Sequence, residues 1–204
     1  DPAPEGTFLL KDRIDGSLIN IDMMSQNSVS ITNQAITSLQ IEYTKHIQVN
    51  TSLESGWNLV SIPVLPLSLK ASDIFKSSNS QFFGFNDEYT TITNLEVGKG
   101  YWVRYPSGKT ETIKGAKVKT NTISVNNNWN LIGVYEKEVQ TNQITTSPSN
   151  IINSSFFDFN PVRGYFTTNT LKPGKGYWVR TSQPGNLILP YNITKTSPQN
   201  ESII

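Results

Sequence analysis

Short runs of alternating apolar and polar residues dominate this chain, and stretches at helical spacing are scarce. Thr7-Phe8-Leu9-Leu10 leads through a charged run to Asp15-Gly16, a strong turn signal. Ile19 and Ile21, Val29 and Ile31, Ile41 and Tyr43, and Ile47 and Val49 each stand two apart, with polar or small residues between. Residues 17–54 therefore read as about four strands. Gly56-Trp57-Asn58-Leu59-Val60-Ser61-Ile62-Pro63 reads as a strand stopped by proline. Phe82–Asn86 reads as an aromatic strand that ends in a tight turn before Tyr89, and Thr110–Val125 as two further strands. Only Leu67–Phe75 suits helical turns, with Ser72 or Asp73 near the cap.

An internal repeat organises these elements. Gly98-Lys99-Gly100-Tyr101-Trp102-Val103-Arg104 returns unchanged as Gly174-Lys175-Gly176-Tyr177-Trp178-Val179-Arg180. Trp129-Asn130-Leu131-Ile132 answers Trp57–Val60, and Phe156–Asn160 answers Phe82–Asn86. The offset grows from 72 to 74 to 76 along the repeat, and the last two extra residues fall between Asn160 and Tyr165, inside a hairpin turn. Asn128 replaces Gly56, and these are the residue types that most readily take positive φ. Pro173-Gly174 replaces Val97-Gly98, which suits the centre of a type II turn. The organisation expected is a tail or donor strand at 1–16, a β-rich segment at 17–54 packed on the first repeat, repeats at 55–126 and 127–190, and a C-terminal tail at 191–204. The fold class is all-β: two tandem antiparallel modules, sandwich- or barrel-like, each with a short helical turn.

All four tryptophans, Trp57, Trp102, Trp129 and Trp178, occupy paired positions. Burying one removes on the order of 200 Å² from water. The paired tryptophans, with Tyr101, Tyr177, Phe83, Phe85, Phe157 and Phe159, are therefore expected to form the repeat core. Gly98, Gly100, Gly174 and Gly176 are the turn glycines. Tyr101 and Val103 point to one face of their strand, Trp102 and Arg104 to the other.

Composition narrows the role. With 17 basic and 16 acidic residues and no basic block, a nucleic-acid partner is unsupported. Charged residues make up 16%, low for a globular protein, while Ser, Thr and Asn abound, a balance common in secreted β-rich proteins. Cysteine is absent, which excludes disulfides and thiolate metal sites. No apolar run approaches the ~18 residues of a membrane span. The opening Asp1-Pro2-Ala3-Pro4 is what a processed mature chain would show.

The Gly-Lys-Gly turn is not a phosphate loop, since that loop needs two glycines four residues apart followed by Lys and Ser/Thr at a helix start. It lacks the third glycine of a dinucleotide loop as well. His46 is the sole histidine, Asp87-Glu88 sits in a turn, and Asp158 is Gly84 in the other repeat. No catalytic, cofactor or metal site is indicated, and the chain reads as a non-enzyme.

The phrases Gly56–Pro63 and Leu95-Glu96-Val97-Gly98-Lys99-Gly100-Tyr101-Trp102-Val103 resemble the "GWNLVSIP…GKGYWV" β-repeats of large secreted or surface-attached proteins of bacteria and some archaea. The likeness covers residues 55–190 and departs at Gly133-Val134-Tyr135, where the first copy has Ser61-Ile62-Pro63. It implies an extracellular, structural or adhesive role and brings no catalytic residues. Two functions follow as expectations. In the first, the chain is a surface subunit that assembles with copies of itself or with other surface proteins, through a donor strand containing Phe8, Leu9, Leu10 and Ile14 or through its C-terminus. In the second, it binds polysaccharide by stacking sugars on Tyr89, Tyr105, Tyr165, Phe166 and Tyr191.

Overall fold

Antiparallel sheets dominate the computed structural model, which describes residues 5–191. The chain is all-β. Its described residues fall into two compact units, 5–47 and 48–191.

In the first unit, β1 (Gly6–Asp12) lies between β2 (Asn20–Asp22) and the start of β3 (Leu39–Leu53). Phe8 stacks on Tyr43 at 4.7 Å, and Lys11 meets Glu42 at 2.7 Å. Phe8, Leu9 and Leu10 are thus in a strand hydrogen-bonded along both edges within its own chain, and donation to a neighbour would require leaving both partners. Ile14 lies beyond β1 in an exposed loop. That loop is built on Asp12, whose buried carboxylate accepts backbone N–H groups from Ile14, Asp15, Gly16, Leu18 and Ile19. These bonds, the one from Ile19 foremost, hold the Asp12 carboxyl well below its ordinary range. The four strands expected at 17–54 reduce to two. Ile41, Tyr43, Lys45, Ile47 and Val49 keep one unbroken alternation and form a single strand, whereas Val29 and Ile31 have no partner strand and lie in an irregular loop.

The second unit holds the repeats. In the first, β4 (Gly56–Ser61), α1 (Ala71–Ile74), β5 (Phe82–Asn86), β6 (Glu88–Ile92) and β7 (Gly100–Tyr105) give a sheet of order β4-β7-β5-β6, followed by β8 (Lys109–Ala116). The cap of α1 is Lys70 rather than Ser72 or Asp73; Ser68 donates to Asp73 and accepts from the Lys70 N–H. The second repeat runs through β9 (Thr122–Val125), β10 (Asn128–Gly133), β11 (Val139–Gln140), a 3₁₀ turn at Thr141–Gln143, β12 (Thr145–Ser147), β13 (Phe156–Asn160), β14 (Gly164–Thr168), β15 (Thr170–Leu171), β16 (Gly176–Thr181) and β17 (Gly185–Ile188). Its sheet has the matching order β10-β16-β13-β14. The strand β9 pairs with β17, so Thr122–Val125 belongs with the second repeat and not with the first. Thr51-Ser52-Leu53, at the end of β3, is its counterpart 72 residues earlier. Each repeat therefore reaches back a strand further than its tryptophan phrase suggests.

The local physics repeats along with the sequence. Gly56 and Asn128 both take positive φ, at 97° and 71°. Behind them the buried Asn58 and Asn130 each accept from a backbone N–H (Glu54, Asn126) and donate to two carbonyls, those of Glu54 and Gly56 or of Asn126 and Asn128. These amides satisfy turn backbone that no strand partner reaches. Gly98 and Gly174, at φ 82° and 83°, occupy the turn position that needs a left-handed residue. The Tyr101 and Tyr177 hydroxyls accept from the Glu96 and Lys172 N–H groups at 2.8 and 2.7 Å. Burial pushes the Tyr101 phenol up to about 12 and raises that of Tyr177 as well.

The two sheets are related by an approximate two-fold axis. The Ser61 N–H donates to the Gly174 carbonyl, and the Gly133 N–H, 72 residues on, to the Gly98 carbonyl. The bridges Val60–Lys175 and Lys99–Ile132 are reciprocal in the same way. A Cβ on Gly100 would meet the Ile132 carbonyl at 2.8 Å and one on Gly176 the Val60 carbonyl at 3.0 Å, so these glycines let the repeats approach. The strands β4 and β10 end at equivalent residues despite the change from Ser61-Ile62-Pro63 to Gly133-Val134-Tyr135. One sheet face covers its own repeat's core, such as Ile132, Tyr177 and Val179 over Ile123 and Leu187 in the second. The other faces its partner, with Leu59, Leu131 and Trp178 at the centre.

Candidate functional site

The partner-facing surfaces carry aromatic residues on alternate positions of paired strands. Direct register pairs place Trp57 opposite Arg104 and Trp129 opposite Arg180, while Trp102 and Trp178 stand opposite Leu59 and Leu131 on one side and Phe83 and Phe157 on the other. Side chains directly opposite share a face. Each repeat then lends rings to the other. Phe85 lies 4.8 Å from Trp178, and Phe159 4.7 Å from Trp102. Tyr89 and Tyr165 approach the same two indoles at 6.4 and 6.2 Å. All four contacts are edge-to-face, the geometry favoured by the ring quadrupole and worth about 0.5–1.5 kcal/mol per pair beyond area burial.

The rings do not fill the space between the sheets. One cleft of about 400 Å³ is lined by Phe85, Tyr89, Trp129, Phe157, Tyr165 and Trp178. A second, of about 420 Å³, is lined by Trp57, Phe83, Tyr89, Trp102 and Phe159. Tyr89 borders both. Trp57 and Trp129, expected in the core, are 40% and 41% exposed. Each starts its strand just after the positive-φ turn and pairs with an exposed arginine, so one flank has no sheet to cover it. Trp178, at 7% exposure, is the buried member of the four, and Trp102 is half-buried. The Trp178 indole Nε1 is shielded from solvent, and the Tyr165 hydroxyl is the polar group it interacts with. Burial raises the nearby Tyr165 phenol above its ordinary value, with smaller influences from Tyr89 and Trp178.

Of the residues expected to stack sugars, Tyr89 and Tyr165 stand exposed at the clefts in equivalent positions. Tyr105 does not: it is 1% exposed, its hydroxyl bound to Glu111 at 3.2 Å, because it points to the inner face of β7 with Tyr101 and Val103. Phe166 is half-buried under the Arg163 guanidinium at 4.6 Å, on the face of β14 away from Tyr165. Tyr191 is half-buried and packs against the second repeat's core, its hydroxyl donating to the Lys137 carbonyl. The remainder of the expected C-terminal strand lies outside the described residues.

Other chemistry is sparse. His46 is hydrogen-bonded to Thr7 at 2.9 Å. Asp158, across from Phe166, faces away from the clefts; burial raises its carboxyl above the ordinary range, opposed by Lys175 at 3.9 Å. Among the described residues no group of three or more His, Cys, Asp or Glu side chains is arranged to hold a metal ion. Among them, too, no helix is long and apolar enough to cross a membrane. Known protein families, curated proteins and solved structures were compared with the chain, and none matches it.

Proposed function

We propose that this chain is a non-catalytic, extracellular adhesive module that binds carbohydrate in the aromatic clefts between its repeats. The observation that carries this reading is the pair of open clefts, each walled by rings from both repeats and flanked by an exposed tryptophan, Trp57 or Trp129. Planar rings attract the C–H faces of pyranoses, and concave, largely apolar sites with a few polar groups are where small ligands bind. The polar groups at hand are the Tyr89 and Tyr165 phenols at the junction of the clefts and the Arg104 and Arg180 guanidiniums beside the exposed indoles. The resemblance of the Trp57 and Trp102 phrases to repeats of secreted surface proteins supports the location.

Binding to a panel of neutral and acidic polysaccharides tests it. The wild-type chain should bind at least one, and Trp57→Ala and Trp129→Ala should each weaken that binding at least about tenfold, or about 1.4 kcal/mol. Folded protein that binds no member of the panel would remove the reading. Self-assembly by donor strand has less support, because β1 already has both edges paired in its own sheet.

A further inference from the structure

The axis that relates the repeats also relates the clefts. Trp129, Phe157 and Trp178 of the first answer Trp57, Phe83 and Trp102 of the second, and Phe85, lent by the opposite repeat, answers Phe159. Their volumes agree, at about 400 and 420 Å³. Among the described residues Tyr89 alone lines both, and its phenol interacts with that of Tyr165 between them, so each cleft is a compartment with its own tryptophans. Each rim carries the same two groups: an exposed indole, Trp57 or Trp129, and directly opposite it an exposed arginine, Arg104 or Arg180. Aromatic walls alone would attract a cation, but a guanidinium at the rim repels one. Ring faces with a donor-rich rim accept a neutral or acidic sugar.

Resting on the carbohydrate reading, we infer that the protein is a bivalent cross-linker, each cleft seating a separate linear polysaccharide chain. A polysaccharide has a direction, and a two-fold axis reverses direction. One straight polysaccharide laid over both clefts would meet the second wall back to front and could not make the same contacts twice. Two polysaccharides, one in each cleft, meet equivalent walls, with Tyr89 and Tyr165 dividing them. The internal duplication thus supplies what adhesion between polymers requires, two like sites on one pair of packed sheets. A long polymer gains from both sites at once, because the first contact raises the local concentration for the second.

The test titrates the full chain with cellohexaose, xylohexaose and chitohexaose by calorimetry. It then follows light scattering on mixing with the soluble polymer of whichever sugar binds: hydroxyethyl cellulose, xylan or glycol chitin. The wild-type chain should take two hexasaccharides, one per cleft. Trp57→Ala and Trp129→Ala should each take one, at an affinity within about threefold of wild type. Wild-type protein should cross-link the polymer and raise its scattering. Both single variants should still bind it, with apparent affinity lowered at least about tenfold by the lost bivalency, and leave its scattering unchanged. One hexasaccharide per wild-type chain, no cross-linking by wild type, or cross-linking that survives in either variant would overturn the inference and leave the carbohydrate reading standing. Folded wild-type protein that binds none of the three would overturn the inference as well, while the broader polysaccharide panel decides the reading itself. Should a variant not fold, the wild-type stoichiometry decides: two supports the inference and one overturns it.

Discussion

Ser61 and Gly133 meet beside the axis that relates the two repeats. A Cβ on Gly133 would stand 2.1 Å from the Ser61 Cβ, so only one member of this equivalent pair has room for a side chain. The Ser61 hydroxyl uses that room to donate to the Lys175 carbonyl at 2.9 Å. The departure from exact repetition at this position is thus a packing requirement of the two-fold arrangement. Gly133→Ala should destabilise the protein by about 1–3 kcal/mol through overpacking. Ser61→Gly should cost about 1 kcal/mol. Combined, the two should be less damaging than their sum by at least about 0.5 kcal/mol, measured in a urea double-mutant cycle.

The amides of Asn58 and Asn130 each make three hydrogen bonds to turn backbone. At about 1 kcal/mol net per bond, Asn58→Ala and Asn130→Ala should each cost on the order of 2–3 kcal/mol. Asn→Asp should cost as well, because a carboxylate has no donor for the two carbonyls. Equilibrium unfolding of the four variants checks both statements.

Tyr101 is one of several buried phenols, with Tyr105, Tyr135, Tyr177 and Tyr191, that burial raises, which makes stability fall at alkaline pH. Its phenol ionises near 10 when unfolded and is pushed up to about 12 in the fold. Below pH 10 both states hold the proton, so stability does not change on this account. Above it the unfolded state releases the proton first, and stability falls until the folded phenol ionises near 12. Tyr101→Phe should make the decline between pH 10 and 12 shallower, at the expense at neutral pH of leaving the Glu96 N–H without its acceptor. Chemical denaturation across that pH range measures the slope.

Asp12 acts in the opposite direction and in the other unit. Its carboxyl is depressed, so its contribution is complete above the ordinary carboxylate range and is lost as pH falls through it. Asp12→Asn should speed hydrogen exchange of the Ile14, Asp15, Gly16, Leu18 and Ile19 amides at neutral pH. Unchanged exchange would show that the loop does not depend on the charge.

Much of this architecture was legible in the sequence because it is local. The positive φ at Gly56 and Asn128, the turns at Gly98 and Gly174, the hairpin between Asn160 and Tyr165 and the aromatic strands follow from residue type and spacing. What was not legible depends on which face of a strand meets which distant partner. Trp57 and Trp129 read as core because tryptophan is large and repeated; the exposed arginine opposite each is the one signal that their flank is open. Tyr105 read as a free ring because it closes a strand, but it continues the inward alternation of Tyr101 and Val103. The pairing of β9 with β17 joins segments some 60 residues apart, and periodicity carries no information on it. Both clefts arise where two such faces meet.

The most direct measurement is a backbone amide map of the full chain titrated with hexasaccharides. Shifts confined to β4, β5, β6, β7, β10, β13, β14 and β16, with residues 5–47 unmoved, are expected if the paired repeats form the binding surface. Shifts confined to residues 5–47, or saturable binding with no change on those strands, would contradict it.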